Sequence, residues 1–223
     1  MTERAPMPRE FRLHGSPHSQ FTYKVALMLR LSAQSFDFRY VSFQKGAHRT
    51  PEFRALSRWG QVPVLEHRGR VLCQSAAILE YLGETLGTFC SGDAAVRLRT
   101  REWLYWDADR LAPPISGCYG LSLAERKLLP LVFDPAIAAW YRERAATALN
   151  ALDTNLAGQD FLAAEQATIA DICCFGDVAF AALSGIDLGR WPHVRAWAAR
   201  IEALPRFKAP FDLLTMADAD FPA

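Results

Sequence analysis

Residues 59–82 read WGQVPVLEHRGRVLCQSAAILEYL, and Pro63 sits awkwardly in that stretch. Val62, Val64 and Leu65 make an apolar run of the kind a buried strand uses, yet Pro63 among them has no N–H to give a neighbouring strand. Proline is kept out of such runs unless it begins a strand, lies on an edge or marks a bend. VPVLEH and RVLC then flank Arg68–Gly69 and read as a hairpin. Beyond it, SAAILEYLGETLG (75–87) reads as a helix opened by Ser75 and closed by Gly87.

Upstream, strand and helix signals alternate. FRLHG (11–15) is a short strand ended by Gly15 and Pro17. Phe21, Val25, Met28 and Leu29 share one face of a helix over 20–32. FDFRYVSF (36–43) alternates and is rich in aromatics, a strand pattern. TPEFRALS (50–57) places Thr and then Pro at the front of a short helix, the preferred cap and first-turn residues. The order is βαβαββα.

After residue 94 strand signals vanish, and helices are expected over 94–112, 135–155, 168–183, 192–203 and 205–216. TIADICCFGDVAFAAL is apolar on nearly every face, as a central buried helix is. Its start, Thr168-Ile-Ala-Asp171, is a capping pattern, and loss of the Thr168 hydroxyl is expected to cost about 1 kcal/mol. The chain thus divides into an α/β half (1–86, its first eight residues expected to be flexible), a linker GTFCSGD (87–93) and an all-α half (94–223).

Composition narrows the function classes. The 223 residues are 51% hydrophobic and 22% charged, with 25 Lys+Arg against 24 Asp+Glu and a net charge of +1. That balance gives no electrostatic reason to expect a nucleic acid partner. No apolar run is long enough for a membrane span, and the N-terminus lacks an apolar signal core. The five cysteines form no zinc or CxxC pattern; most follow apolar neighbours, as free thiols in a reducing compartment do. A cytoplasmic protein without a metal is expected.

GQVPVL followed by QSAAILEYL in the first half, and ATIADI in the second, resemble the cytosolic glutathione S-transferase family over almost the whole chain. KGAHRTPEFRALSRWGQVPVL (45–65) is most similar to the phi-like and bacterial branches. The resemblance implies a thioredoxin-like N-terminal domain followed by an all-helical domain, a homodimer, and a detoxification enzyme (EC 2.5.1.18-like). Such an enzyme ionises the thiol of glutathione, its co-substrate, for attack on a hydrophobic electrophile, with reduction of organic hydroperoxides as a further reaction. No other cofactor is implied. A binding protein for glutathione or apolar ligands, or an interaction protein of the same fold, are the alternatives.

The resemblance also suggests roles for residues. In the family Pro63 is cis, which frees the Val62 backbone to pair with the peptide as an added strand would. Ser75 at a helix N-terminus, with Gln74 beside it, meets the γ-glutamyl carboxylate, because free N–H groups and the helix dipole attract an anion. Ser19 stands five residues before Lys24 of the Lys24-Val25 pair, the place of the catalytic hydroxyl in serine-type branches. There it would donate to the thiolate rather than act as a nucleophile. His48, Arg49 and Gln61 are expected near the glycine end of glutathione. Gln74 replaces an acidic residue, so Asp107 or Asp109 of a second subunit is expected to meet the ligand's ammonium. Trp106 and Arg110, one helical turn apart, are expected in the electrophile pocket. Two departures stand out: that replacement, and Ser57-Arg58-Trp59-Gly60 in place of Asn-Pro-x-Gly.

Overall fold

In the computed structural model, which describes residues 10–215, FRLHG forms strand β1 (Phe11–Gly15) with alternating burial. It runs parallel to β2 (Phe36–Tyr40) and antiparallel to β3 (Val64–His67), which pairs antiparallel with β4 (Arg70–Cys73). The sheet order is β2-β1-β3-β4. Helix α1 (Gln20–Leu31) crosses between the parallel strands, α2 (Pro51–Leu56) precedes β3, and α3 (Ser75–Leu86) follows β4. Phe11, Leu13 and Leu65 join the main core with α1 and α3, while Val64 packs on the other side with Val41 and Phe53. Successive side chains of a strand point to opposite faces, so β3 is covered on both. This is the thioredoxin-like arrangement, with the helical domain packed against it.

Several boundaries differ from the sequence reading. β3 begins at Val64, not Val62. It is an interior strand between β1 and β4, where a proline would remove a ladder bond, so Pro63 stands just ahead of it; the Val62–Pro63 bond is cis. β2 stops at Tyr40 rather than 43, because its partner β1 ends opposite at Gly15. The hairpin turn has Arg68 at φ 48° and Gly69 at φ 75°, the left-handed pair that suits a two-residue connection.

The helical half comprises α4 (Ala94–Trp106), α5 (Ala112–Glu125), α6 (Pro135–Leu156), α7 (Ile169–Val178), α8 (Pro192–Glu202) and α9 (Pro210–Leu213). The helix expected to stop at 112 does not. A π turn over Asp107–Leu111 carries α4 directly into α5, with the Ala112 N–H bonded to the Asp107 carbonyl. Pro113 and Pro114 then follow at the start of α5, directly after the π turn that interrupts the regular bonding ladder. The expected 168–183 helix ends at Val178 and resumes as a short 3-10 turn over Ala182–Ser184. The last helix is one turn long instead of spanning 205–216; residue 216, like residues 1–8, lies outside the described residues. No helix among the described residues is long and apolar enough to cross a membrane.

α7 is buried at all ten positions, as its composition implied. The Thr168 Oγ1 accepts from the Ala170 N–H at 3.2 Å, and the Asp171 carboxylate accepts from the Thr168 N–H at 2.8 Å. Asp171 accepts as well from the Leu162 N–H and from Trp197 Nε1, both at 2.9 Å. One capping carboxylate therefore ties α7 to α8 and to the segment before it.

The two halves are joined by buried charge. Lys24 of α1 is fully buried; its Nζ lies 2.6 Å from Asp107 Oδ2 and 2.8 Å from Asp177 Oδ2. Cys173 donates to the same Asp107 oxygen at 3.2 Å. Gly176 makes the approach possible: a Cβ there would stand 2.3 Å from Lys24 Cγ. Burial disfavours the ammonium, but Asp107 and Asp177 more than offset it and hold the Lys24 pKa high. Burial also pushes Asp107 up, yet Lys24 brings it below its ordinary range. Asp177 goes the other way, raised by burial and by the charge on Asp107.

Removing one member of a buried ion pair typically costs about 3–5 kcal/mol, because the remaining charge is left uncompensated. Lys24→Met is expected to lose that much in urea unfolding, and a loss under ~1 kcal/mol would show that the cluster does not hold the halves together.

Candidate active site

Between α1, the loop before β3 and the start of α3 lies a cavity of about 370 Å³, bounded among others by Ser19, Trp59, Pro63, Gln74 and Ser75. Two helices present their N-termini to it. Ser19 caps α1, its Oγ accepting from the Thr22 N–H at 3.2 Å. A serine hydroxyl that accepts one bond keeps its hydrogen to donate. No acidic side chain stands in the first turn of α1, so the N–H dipole there is not neutralised locally.

α3 is capped differently. Ser75 is its first residue and is buried, while the cap position is Gln74, which makes no side-chain bond to the helix. Gln74 instead donates through Nε2 to Gln61 Oε1 at 3.2 Å. Its φ of 69° is costly for a residue with a Cβ. The first turn of α3 holds no acid and accepts no cap, an arrangement that attracts anions.

The loop between α2 and β3 is held by Ser57, a residue the sequence reading noted only as a departure. Its buried hydroxyl donates to the Gln61 carbonyl at 2.8 Å and accepts from the Gln61 N–H at 3.0 Å. Gly60, at φ 63°, packs so closely that a Cβ would stand 3.0 Å from the His48 carbonyl. The result is a short braced loop leading into the cis bond. Among the described residues, no hydrogen bond engages the Val62 backbone, and Val62 lines the cavity.

Of the remaining predicted residues, Asp107 alone borders the first cavity. His48 and Arg49 form a 3-10 turn behind the wall: His48 Nε2 accepts from Arg49 Nε at 3.2 Å and its ring packs on Phe43 at 4.7 Å. Burial and the neighbouring Arg49 and Arg54 lower the His48 pKa, favouring the neutral ring. Asp107 faces that cavity from the π turn. It is 2% exposed and committed to Lys24. The signal was present in the spacing, since Leu104, Asp107 and Leu111 fall on one buried stripe. Asp109 is exposed and pairs with its neighbour Arg110 at 2.7 Å. Trp106 and Arg110 do not line the cavity; they face Arg144, Thr147 and Ala148 across a separate small groove, because the π turn rotates them toward α6.

A second cavity, about 290 Å³, shares Ser19, Phe21 and Phe43 with the first. Leu123 and Leu129 give it apolar walls, and His18 and Tyr119 give it a polar edge. Neither of these two had been singled out for a role: they lie 101 positions apart, and no local pattern links them.

Taken together, a thioredoxin-like domain with a cis-proline loop, two helix N-termini at one cavity and a second, more apolar cavity beside it define a thioredoxin-like protein with an anion-attracting site. Comparison with known proteins agrees. "Glutathione S-transferase, N-terminal domain" matches residues 13–88 and "Glutathione S-transferase, C-terminal domain" matches residues 135–205. Glutathione S-transferase 3 of Zea mays is 30% identical over 206 residues, covering 88% of this chain and 91% of that protein. Disulfide-bond oxidoreductase YfcG of Escherichia coli is 27% identical over 190 residues, covering 82% and 86%. A glutathione transferase family member from Pseudomonas fluorescens, solved with two glutathione bound, superimposes with a TM-score of 0.78 at 26% identity over 91% of this chain and 92% of that one. The chain belongs to the glutathione S-transferase family.

Ser57→Ala removes both bonds of the loop brace and leaves the Gln61 N–H and carbonyl without a partner. It is expected to lower stability by about 1–3 kcal/mol, read as a fall in denaturation midpoint. An unchanged midpoint would show that the loop holds itself.

Proposed function

We propose that the protein is a glutathione transferase of the serine type. Glutathione occupies the first cavity, with its backbone against Val62 and its γ-glutamyl carboxylate at the uncapped start of α3. Ser19 donates its hydroxyl hydrogen to the sulfur and, with the α1 dipole, keeps it as thiolate. Lowering a thiol pKa by about two corresponds to about 2.7 kcal/mol of preferential anion stabilisation. The hydrophobic electrophile enters the second cavity, which meets the first at Ser19, Phe21 and Phe43. The presence of Ser19 in both is the observation that carries the reading: the nucleophile's stabiliser touches both ligands. Gln61 and Gln74 would hold the ligand by neutral hydrogen bonds, weaker than charge-assisted ones. His48 and Arg49 are assigned to the glycine end of the ligand. Asp109 is the acid still open to a second subunit.

The likeness to a disulfide-bond oxidoreductase supports a second reading, in which the same thiolate attacks a disulfide. The cavity imposes no choice, since a thiolate serves both.

Ser19 and Ser75 separate chemistry from binding. Ser19→Ala is expected to reduce kcat at least about tenfold with glutathione affinity retained, matching the loss of one hydrogen bond to a charged group. Ser75→Ala is expected to weaken retention on immobilised glutathione. Wild-type kcat in the first variant, or undiminished retention in the second, would remove that residue from its role.

We propose a homodimer as well. α4 buries only Thr100 and Leu104 and leaves Leu98 60% and Tyr105 73% exposed, apolar surface available to a second copy. Sedimentation equilibrium is expected to give twice the chain mass; a monomer at micromolar concentration would contradict it.

A further inference from the structure

The segment between α5 and α6 turns some of its apolar side chains inward and others out. Leu128 and Leu129 pack on the main core, and their N–H groups both donate to the Leu123 carbonyl, at 2.8 and 3.4 Å. Phe133 lies over α5, where a Cβ on Gly120 would stand 3.6 Å from its Cζ. Between these anchors Leu131 is 53% exposed and Val132 completely so. α6 adds Ile137 and Trp140, each about half exposed and one helical turn apart.

Charge surrounds that apolar surface. Arg126 and Lys127 follow the end of α5 and are exposed. Further along α6, Arg144 lays its guanidinium over the Trp140 ring at 5.6 Å. The acids of the stretch are Glu125, Asp134 and Glu143. Glu125 is paired with Arg142 at 2.9 Å, which ties the end of α5 to α6. Asp134 accepts from the Ala136 N–H at 2.7 Å as the cap of α6, where the helix dipole offsets its charge. Arg126, Lys127 and Arg144 are thus set against Glu143 alone. A completely exposed apolar side chain protrudes, a shape suited to entering a fluid layer rather than a rigid groove. Tryptophan at the boundary and basic side chains at headgroup level are its usual companions there.

We propose that this face is a peripheral docking surface for an anionic lipid bilayer. Leu131 and Val132 enter the acyl boundary, Trp140 lies at the headgroup level, and Arg126, Lys127 and Arg144 meet the lipid phosphates. The contact is reversible, because two small apolar side chains and a few basic ones hold only together. Leu123 and Leu129, at the root of the same segment, line the second cavity. Docking therefore sets that cavity beside a phase in which apolar molecules dissolve. That consequence, unlike the docking itself, rests on the transferase reading above.

The test is flotation of the full chain with vesicles of phosphatidylcholine alone and of an equal mixture with phosphatidylglycerol. The chain is expected to float with the mixed vesicles only. Molar salt is expected to release it, since screening then leaves a reach of about 3 Å. Leu131→Ser with Val132→Ser, and separately Arg126→Glu with Lys127→Glu, are each expected to weaken vesicle binding at least about tenfold. All four side chains are outside the two cavities, so both variants are expected to keep the urea midpoint and, without lipid, the rate with glutathione and 1-chloro-2,4-dinitrobenzene within about twofold. Equal binding to both kinds of vesicle, or to neither, would overturn the proposal. Variants that float as the wild type does would overturn it too. A wild type that does not float, but loses a self-associated state in sedimentation on Leu131→Ser with Val132→Ser, would place a second copy on this face instead. A wild type that floats yet conjugates no acceptor would support the docking and sink the transferase reading.

Discussion

Lys24 carries its charge in a place with no water, between a carboxylate from the π turn and a carboxyl group from α7. The desolvation of that ammonium is large, and two acidic side chains at under 3 Å from a second domain are what make it tolerable. The geometry is consequently strict. α1 cannot slide or rotate against the helical domain without separating the pair, and Gly176 leaves room for the lysine stem in one path only. Because Ser19 caps the same helix one turn and a little more before Lys24, the cluster also sets where the Ser19 hydroxyl stands relative to the two cavities it lines.

The two helix N-termini at the site divide the electrostatic work. α1 is capped by a serine that accepts one backbone hydrogen and keeps its own to give. α3 goes without a side-chain cap, and a glutamine in a positive-φ conformation holds its start open toward the cavity. An uncapped helix start is a stability loss of about 1 kcal/mol in an ordinary surface helix; here it leaves N–H groups for a carboxylate. The loop between them is braced by Ser57 rather than by a ligand, so the cavity is formed before anything enters it, which reduces the ordering a ligand must impose.

Much of this was legible residue by residue. Thr168 and Asp171 announced a capped, buried helix, and the Arg68–Gly69 turn announced its hairpin. The misreadings share a cause. The helix expected over 94–112 runs on instead through a π turn into α5, because the packing of this stretch against α6 and α7 lies outside any local pattern. Asp107 was expected to meet a ligand, and its burial against Lys24 went unread although Leu104 and Leu111 bracket it on an inward stripe. Trp106 and Arg110 kept their one-turn spacing, yet the widened turn aimed them at α6.

Local patterns of the chain determined the strands, most helix starts, the bend ahead of β3 and the anion-attracting tip of α3, since each depends on a few neighbouring residues and on backbone stereochemistry. Tertiary packing alone decided that Lys24 meets Asp107 and Asp177, that Ser19 belongs to both cavities, and that His18 is hydrogen-bonded to Tyr119. These are contacts between groups far apart in the chain, and their existence depends on how domains pack and exclude water, which no short window of residues encodes.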